Sequence, residues 1–342
     1  MHVLVTGHTG FKGAWLTLLL KQWGHDVSGL ALDPEPGSLF ETAELSQLLV
    51  EDVRCDIRDQ NLVRETFAQI APDFVIHLAA QPLVRASYSR PRETLETNVM
   101  GTLAVLEALA VTPLARGALL ITTDKVYRNV GQLAGYIEED PLGGTDPYSA
   151  SKAMADILIA SWASSFPGIP IAIARAGNVI GGGDTSQDRL FPDIVRAFKA
   201  DQSVRLRYPD AVRPWQHVLD CLSGYALLMD ALVDGQGEGS WNFGPVDSSL
   251  KSVRDATELA ARLWPSAKGW EIEDTVHPHE AGILHLESSK ARINLGWRDS
   301  LDFTAAIEWT IEWEKRVSHG ESPRDVTLEQ ISRFLSLTGD AR

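Results

Sequence analysis

Residues 3–13 read VLVTGHTGFKG, with three glycines between a short apolar run and a helical pattern. Gly7 is placed to make the tight turn out of a strand, and Gly13 lets the following helix pack closely on the sheet. Gly10 leaves space for the backbone to approach a diphosphate at the N-terminus of that helix. Because the second gap is one residue longer than in the GxGxxG pattern, the glycines alone predict only a strand, a turn and a helix.

An acidic residue strengthens the interpretation of this loop. Asp33 lies twenty residues after Gly13, at the end of the second predicted strand. A carboxylate at that place accepts hydrogen bonds from the hydroxyls of an adenosine ribose and repels a 2′-phosphate. The loop and Asp33 together predict NAD, rather than NADP, as the cofactor. Asp56 and Ile57 follow a third short apolar piece and are placed to bracket the adenine, although an aspartate in a loop is usually only solvated.

Short apolar runs alternate with helical patterns through the first half of the chain, which is typical of βαβ units in a parallel sheet. We predict strands at residues 2–5, 27–32, 74–78, 119–122 and 169–174. We predict helices at residues 13–23, 60–70, 92–110 and 148–164. The fold class that follows is α/β, with a Rossmann-like, doubly wound parallel sheet.

The alternation stops after about Ala176. Further helices are predicted at residues 215–232, 253–263, 303–315 and 328–337, and the apolar residues 241–243 are placed to return to the sheet. We therefore predict that residues 1–176 and 214–245 form the dinucleotide-binding domain. Residues 177–213 and 246–342 would form a smaller, mostly helical C-terminal domain for the substrate.

Composition and charge exclude several classes of function. The chain has 342 residues, 44% of them hydrophobic, and a formal net charge of −15. That charge has the wrong sign for binding the nucleic acid backbone or an anionic membrane. Two cysteines argue against a disulfide framework and favour a reducing, cytoplasmic location. The N-terminal residues lack the pattern of a secretion signal, and we expect no membrane span.

Three polar pieces lie where strands of such a sheet would end: residues 121–127 (ITTDKVY), 148–152 (YSASK) and 175–181 (RAGNVIG). Tyr148 and Lys152 are four residues apart on one helix face, so the ammonium can lie beside the phenol and lower its pKa. Such a tyrosine is a usable base near neutral pH. A lone Tyr-x-x-x-Lys pattern is common, and it gains meaning only from the other pieces.

Together with the glycine loop, these pieces resemble the extended short-chain dehydrogenase/reductase superfamily. Within that superfamily the chain is most similar to the nucleotide-sugar 4,6-dehydratases of the CDP-glucose branch. The narrower resemblance is carried by residues 7–13, 77–85, 97–102, 140–152, 181–184 and 213–218. It covers roughly the whole chain and weakens after about Pro245.

The resemblance implies a set of residues that contact NAD: Gly7, Gly10, Phe11, Gly13, Asp33, Asp56, Ile57, Leu78, Ala79, Ala80, Gln81, Asn98, Tyr148 and Lys152. It also implies that Gln81, Asn178, Arg189 and Arg213 bind the substrate, a CDP-hexose. Arginine suits the diphosphate because its planar guanidinium binds two phosphate oxygens at once. The preference for cytidine is implied by the resemblance alone.

The resemblance implies five catalytic residues: Thr123, Asp124, Lys125, Tyr148 and Lys152. Tyr148 would take the proton of the C4 hydroxyl, beside Thr123. Lys125 stands where most nucleotide-sugar dehydratases have a glutamate, and it would take the proton from C5. Asp124 would protonate the C6 hydroxyl as it leaves as water. A lysine that acts as a base must be uncharged, which requires burial or a neighbouring cation such as Lys152.

Three further expectations concern assembly, metals and alternative functions. Apolar residues of the helices at 92–110 and 148–164, among them Leu103, Leu106, Ile157 and Trp162, predict a homodimer or tetramer through a four-helix bundle. We expect no metal, because the spacing of His277, His279, Glu280 and His285 fits neither a helical HExxH nor a zinc finger. The alternative functions are an epimerase or reductase of the same superfamily, or an NAD-binding protein without catalysis.

Overall fold

The computed structural model describes residues 1–112, 114–246, 249–273 and 284–339. The strands are β1 (His2–Thr6), β2 (Asp26–Ala31), β3 (Asp52–Arg54), β4 (Phe74–His77), β5 (Ala118–Ile121), β6 (Ile171–Ala176), β7 (Asn178–Ile180), β8 (Val204–Leu206), β9 (Val212–His217), β10 (Gly239–Phe243), β11 (Leu250–Ser252) and β12 (Trp270–Ile272). The helices are α1 (Phe11–Gln22), α2 (Leu39–Thr42), α3 (Gln60–Ile70), α4 (Val84–Ser89), α5 (Pro91–Leu95), α6 (Gly101–Ala110), α7 (Pro147–Ser165), α8 (Leu190–Lys199), α9 (Val218–Val233), α10 (Val253–Leu263), α11 (Ser289–Asn294), α12 (Phe303–Ser318) and α13 (Pro323–Thr338). In the described part of the chain, none of these helices is both long enough and apolar enough to span a bilayer.

A seven-stranded sheet lies at the centre of the molecule, in the order β10-β6-β5-β4-β1-β2-β3. All neighbouring strands in it are parallel. The winding reverses between β1 and β4, so a crevice opens at the carboxyl ends of these two strands, which is where doubly wound sheets bind ligands. The predicted α/β Rossmann-like fold is confirmed.

Helices cover both faces of this sheet and form two apolar cores. On one face, α1 and α9 pack with the C-terminal helices, for example through Trp15, Leu222 and Val326. On the other face, α3, α6 and α7 bury residues such as Val63 and Ile159. Strands that are buried on both faces explain the continuous apolar runs that predicted them.

The second half adds two small sheets, β11-β9-β7 and β12-β8, beside α8, α10 and α12. The predicted helix at residues 215–232 is wrong at its start, because Val212–His217 is strand β9 and the helix begins at Val218. His217 ends the strand and caps the helix by accepting a hydrogen bond from the N–H of Leu219. The predicted return to the large sheet is confirmed, since β10 pairs with β6. The division into two domains stays a prediction.

Candidate active site

The glycine loop lies against the loop that follows β4. Gly7 has φ +73°, and a Cβ there would lie 2.7 Å from the backbone nitrogen of Ala79. A Cβ on Gly13 would overlap the carbonyl oxygen of Gly7. Gly10 differs, because a Cβ there would meet only the Gly7 oxygen, at 3.4 Å. Two glycines are therefore required by the protein's own packing, and the third leaves an open surface.

The loop fits the diphosphate of a dinucleotide. Gly10 is the N-cap of α1, and no side chain caps that helix end. The first N–H groups of a helix have no partner within the helix, so they are available to an anion. Asp33 follows β2 with an exposed carboxylate, 3.5 Å from Nε of Arg54. The glycine loop and Asp33 fit NAD, the cofactor that the sequence predicted. Arg54, the partner of Asp33, was not among the predicted residues.

Asp56 and Ile57 follow β3 at the same edge of the sheet. Asp56 pairs with Arg58, whose hydrogen bonds lower the pKa of the carboxyl. Ile57 is buried, and a Cβ on Gly101 would lie 2.5 Å from its Cδ1 atom. Gly101 therefore makes the space that Ile57 occupies beside the predicted adenine position.

A buried histidine joins the two strands that border the crevice. Nδ1 of His77 lies 2.7 Å from Oγ1 of Thr6, which also accepts a hydrogen bond from the N–H of Ala79 at 3.2 Å. Nε2 of His77 lies 3.1 Å from Oγ1 of Thr102. Burial lowers the pKa of His77 to about 3, so the ring is neutral. These bonds fix the loop with Leu78, Ala79 and Ala80 beside the glycines.

Asn98 connects that loop to helix α7. It lies in a π turn (Glu96–Met100) between α5 and α6, and its Oδ1 accepts from the N–H of Gln81 at 2.8 Å. Its Nδ2 donates to the carbonyl of Gln81 and to Oγ of Ser151. The side chain of Gln81 is itself bonded to Thr94 and Leu83. Both residues thus hold the loop, and their contacts with cofactor or substrate stay predictions.

The predicted catalytic residues meet at the end of β5. Thr123 opens a short turn (Asp124–Val126), and its hydroxyl donates to Oδ1 of Asp124 at 2.9 Å. The same threonine hydrogen-bonds Tyr148, which lies in the first turn of α7. Asp124 is buried, and a Cβ on Gly177 would lie 3.1 Å from its Oδ2. Thr123 therefore joins the acid to the tyrosine.

The electrostatics of Tyr148 and Lys152 differ from the sequence prediction. Burial raises the pKa of Tyr148 to about 12, against the opposing effects of the Arg189 guanidinium and the Thr123 hydrogen bond. Nζ of Lys152 donates to the carbonyl of Ile121 at 3.0 Å, and burial together with Lys12 lowers its pKa to about 8. The sequence predicted a lowered pKa for Tyr148, but the net shift is upward, because burial of the phenol outweighs the groups that oppose it.

Lys125 and the arginines lie around this centre. Lys125 is half-buried and makes no ion pair with any residue that the structure describes. Arg189 begins α8, 3.6 Å from the carboxylate of Asp184. Arg213 is buried on β9, and Asn178 begins β7 beside Trp215. The positive charge of Arg189 acts to lower the pKa of Tyr148, which connects the N-terminus of α8 with the first turn of α7.

Sequence reasoning missed a buried ion pair behind α7. Asp156 on α7 binds Arg175 on β6 through two hydrogen bonds of 2.7 and 2.9 Å. Oγ1 of Thr122 donates to the same carboxylate at 2.9 Å, and Arg175 donates to the hydroxyl of Tyr127 at 2.7 Å. The pair fixes α7 to β5 and β6. Its signal in the sequence was the position of Asp156, four residues after Lys152.

The possible metal ligands of the sequence are mostly outside the described residues. His277, His279 and Glu280 lie there, whereas His285 is described and buried. Within the described ranges, no group of three or more His, Cys, Asp or Glu side chains is arranged to hold a metal ion.

Comparison with known proteins gives consistent likenesses over the whole chain. A family model described as "NAD dependent epimerase/dehydratase family" matches residues 3–244. A CDP-glucose 4,6-dehydratase of Salmonella typhimurium is 42% identical over 98% of this chain and 96% of that protein. A UDP-glucose 4-epimerase of Neisseria meningitidis serogroup C is 27% identical over 93% of this chain and 98% of that protein.

A solved structure supports the fold. The dTDP-glucose 4,6-dehydratase of Bacillus anthracis, crystallised in complex with NAD, has a TM-score of 0.80 to this chain at 23% identity. The match covers 93% of this chain and 98% of that one. At this identity the likeness shows a common fold.

Proposed function

This chain belongs to the NAD dependent epimerase/dehydratase family, and within it we propose that the chain is a CDP-glucose 4,6-dehydratase, a hydro-lyase. The observation that carries the proposal is the identity of 42% to such a dehydratase over nearly the full length of both chains. An epimerase of the same family reaches 27%. The Asp124-Lys125 pair beside Thr123 supports dehydration, because an epimerase needs no acid and base there.

The first step removes hydrogen from C4 of the hexose. When bound, NAD supplies a hydride acceptor that is regenerated within one turnover. Tyr148 takes the proton of the C4 hydroxyl, and Thr123 holds the C4 oxygen. A phenol with a pKa of about 12 is a poor base at neutral pH, so this step needs a cation beside it. Lys152, one helical turn away with a pKa of about 8, is mostly charged at pH 7 and serves as that cation.

The second step removes water across C5 and C6. The ketone at C4 acidifies the hydrogen on C5, and Lys125 takes that proton. Asp124 gives a proton to the C6 oxygen, which leaves as water. The hydride taken from C4 would then return to C6 and Lys125 would return its proton to C5, which gives the 4-keto-6-deoxy sugar. Lys125 follows Asp124 in the short turn that Thr123 begins, and this adjacency supports the assignment of the two groups to one step.

The substrate is a CDP-hexose, and four residues bind it. Arg189 and Arg213 grip the diphosphate, Asn178 reaches the phosphate or sugar, and Gln81 lies beside the sugar. In support, Arg189 lies close enough to Tyr148 to lower its pKa. The cytidine preference rests on the likeness to the CDP-glucose enzyme.

The protein assembles as a homodimer or tetramer through the helices around α6 and α7. Three apolar side chains of this surface support the proposal, being about half exposed: Met100 (54%), Met154 (45%) and Ile157 (56%). Leu106, predicted from sequence to lie in that interface, is instead fully buried in the core beneath α6. We place the protein in the cytoplasm, since both cysteines are unpaired thiols.

The test is incubation of the purified protein with CDP-, dTDP-, GDP- and UDP-hexoses. We expect a 4-keto-6-deoxy product from CDP-glucose, with no net consumption of NAD. Formation of a 4-epimer without loss of water would instead identify an epimerase. Bound NAD without turnover of any of the four nucleotide sugars would identify a protein that binds the cofactor without catalysis.

A further inference from the structure

Three charged side chains connect the two halves of the chain beside the site. Arg85 lies on α4, Asp188 precedes α8, and Arg207 follows β8. Oδ1 of Asp188 accepts a hydrogen bond from Arg85 at 2.7 Å and one from Arg207 at 3.0 Å. Asp188 has φ +58°, in the left-handed region that aspartate adopts more readily than most residues other than glycine. The two arginines thus hold this carboxylate between the two halves of the chain.

The two arginines depend on Asp188 to different extents. Arg207 also lies 3.9 Å from the carboxylate of Asp193 and 3.7 Å from that of Glu273. In the described part of the chain, Arg85 has no acidic partner other than Asp188. Arg207 therefore binds Asp188 within the second half of the chain. The contact between Arg85 and Asp188 is the one in which another anion can replace the carboxylate.

The exchangeable contact lies next to α7. Ser87, two residues after Arg85 on α4, accepts a hydrogen bond from the N–H of Tyr148 at 3.1 Å. Asp188 directly precedes Arg189, whose guanidinium acts on the Tyr148 phenol. The segments that carry Arg85 and Asp188 therefore both contain a neighbour that interacts with Tyr148.

The loop of residues 184–188 places a second carboxylate against an arginine. Asp184 faces Arg189 at 3.6 Å, as Asp188 faces Arg85. Carboxylates of residues 184–188 thus neutralise two arginines that come from different elements. The Arg85 pair is partly exposed, with 46% of the Arg85 side chain and 36% of the Asp188 side chain accessible. Exposed ion pairs contribute little free energy, so an anion of higher charge can displace the carboxylate.

We propose that Arg85 is a further ligand of the substrate's phosphate groups, and that Asp188 holds its guanidinium until the substrate binds. The inference rests on the proposed function, because it takes a nucleoside diphosphate sugar as the ligand. On binding, the Arg85 guanidinium moves from one carboxylate to the phosphate oxygens, to which it can donate two parallel hydrogen bonds. Asp188 remains on Arg207.

The test uses titration calorimetry with CDP and the NAD-loaded protein. Arg85→Met keeps an apolar stem of similar length and removes the guanidinium, so CDP binding should weaken about tenfold or more. Asp188→Asn removes the competing charge, so CDP binding should strengthen severalfold. Asp188→Gly suits the positive φ and should act in the same direction, which separates the effect from misfolding. As a matched control, Asp210→Asn breaks another exposed pair, with Arg254 at 2.7 Å, and should leave CDP binding unchanged.

The opposite signs are the decisive result. Weaker binding in both the Arg85 and Asp188 variants would show a clasp that closes over the substrate, and unchanged binding would show a surface ion pair; either overturns the proposal. Opposite signs in a protein that forms no 4-keto-6-deoxy product would leave this inference standing and refute the proposed activity. If the protein forms the product but the two variants do not shift CDP binding in opposite directions, the proposed activity stands and the inference about Arg85 is refuted. A parent protein that binds neither CDP nor dTDP, UDP or GDP would refute both.

Discussion

The loops at the edge of the large sheet and the loop of residues 184–189 hold their groups in different ways. At the sheet edge, backbone contacts leave no space for a Cβ at Gly7 or Gly13, and Asn98 is fixed by three hydrogen bonds. In the second loop, Arg189 lies against Asp184, and the partly exposed Arg85 lies against Asp188, which also binds Arg207. The first region is therefore closely packed around the reacting groups, whereas the proposed exchange at Arg85 in the second suits a substrate that enters and leaves.

The comparison predicts that changes in the closely packed region abolish reaction steps. The largest effect should come from Tyr148→Phe, which removes one hydroxyl from a buried ring and leaves its volume nearly unchanged. We expect product formation to fall by about 100- to 10,000-fold, because a group that moves a proton in the transition state is lost. Single-turnover absorbance at the nicotinamide band should show no transient reduced cofactor. A normal transient would mean that another group takes the C4 hydroxyl proton.

A second pair of variants separates the two steps within the same region. Asp124→Asn and Lys125→Met should still oxidise C4 and then stall before water leaves, so reduced cofactor should accumulate on the protein. The elimination should slow by about 100- to 10,000-fold for each group lost. The measurement is the same absorbance, combined with product analysis.

A near-normal rate for Lys125→Met would assign the C5 proton to another group. Tyr136 is then a poor candidate, because its hydroxyl is bonded to Asn129 and Val130 and its ring stacks on Tyr127. A water held by Thr123 would be tested next, with Thr123→Val.

The buried ion pair of Asp156 and Arg175 predicts a large loss of stability from a change at a residue to which we assign no catalytic role. Asp156→Asn would leave Arg175 with an uncompensated buried charge, and breaking such a pair costs about 3 to 5 kcal/mol. The lower free energy of unfolding should appear in chemical denaturation. Asp193→Asn breaks a partly exposed pair with Arg196 and is the control, for which we expect about 1 kcal/mol or less. Equal losses in the two variants would remove the distinction between the buried and the exposed ion pair.

The sequence predicts features that depend on the local backbone better than contacts between distant side chains. Backbone requirements leave local signals, so the glycine loop and the helices at residues 60–70 and 253–263 were predicted with the bounds that the structure has. The strand before α9 was missed, because the apolar run at residues 215–222 suits a helix as well as a strand, and only the cap formed by His217 marks the change.

Contacts made by long side chains left no local signal. The partner of Lys152 is a backbone carbonyl 31 positions away, and Arg85 and Asp188 are 103 positions apart. The pKa of Tyr148 was predicted in the wrong direction for the same reason, since it depends on burial and on the groups that oppose it. The catalytic residues were predicted as a set through the resemblance, while their electrostatics required the structure.

The smallest predicted effect tests the exchangeable region and concerns Arg189, to which we assign both phosphate binding and an electrostatic effect on Tyr148. Arg189→Met should raise KM for CDP-glucose about tenfold, through the loss of a charge-assisted hydrogen bond. It should also raise the pKa of Tyr148, because the positive charge that lowers it is gone. The rate of C4 oxidation rises with pH as the phenol loses its proton, so that rise should move to higher pH.

Arg189→Lys separates the two roles of this side chain. Lysine keeps the charge, so the pH profile should return towards that of the parent, while KM stays raised because an ammonium cannot bind two phosphate oxygens in one plane. Arg205→Met, which breaks an exposed pair with Glu271, is the control and should change neither quantity. If both Arg189 variants raise KM and neither moves the pH profile, Arg189 binds phosphate without acting on Tyr148. Charges in the loop of residues 184–189 would then have no effect on Tyr148 in α7, and the two regions would act independently.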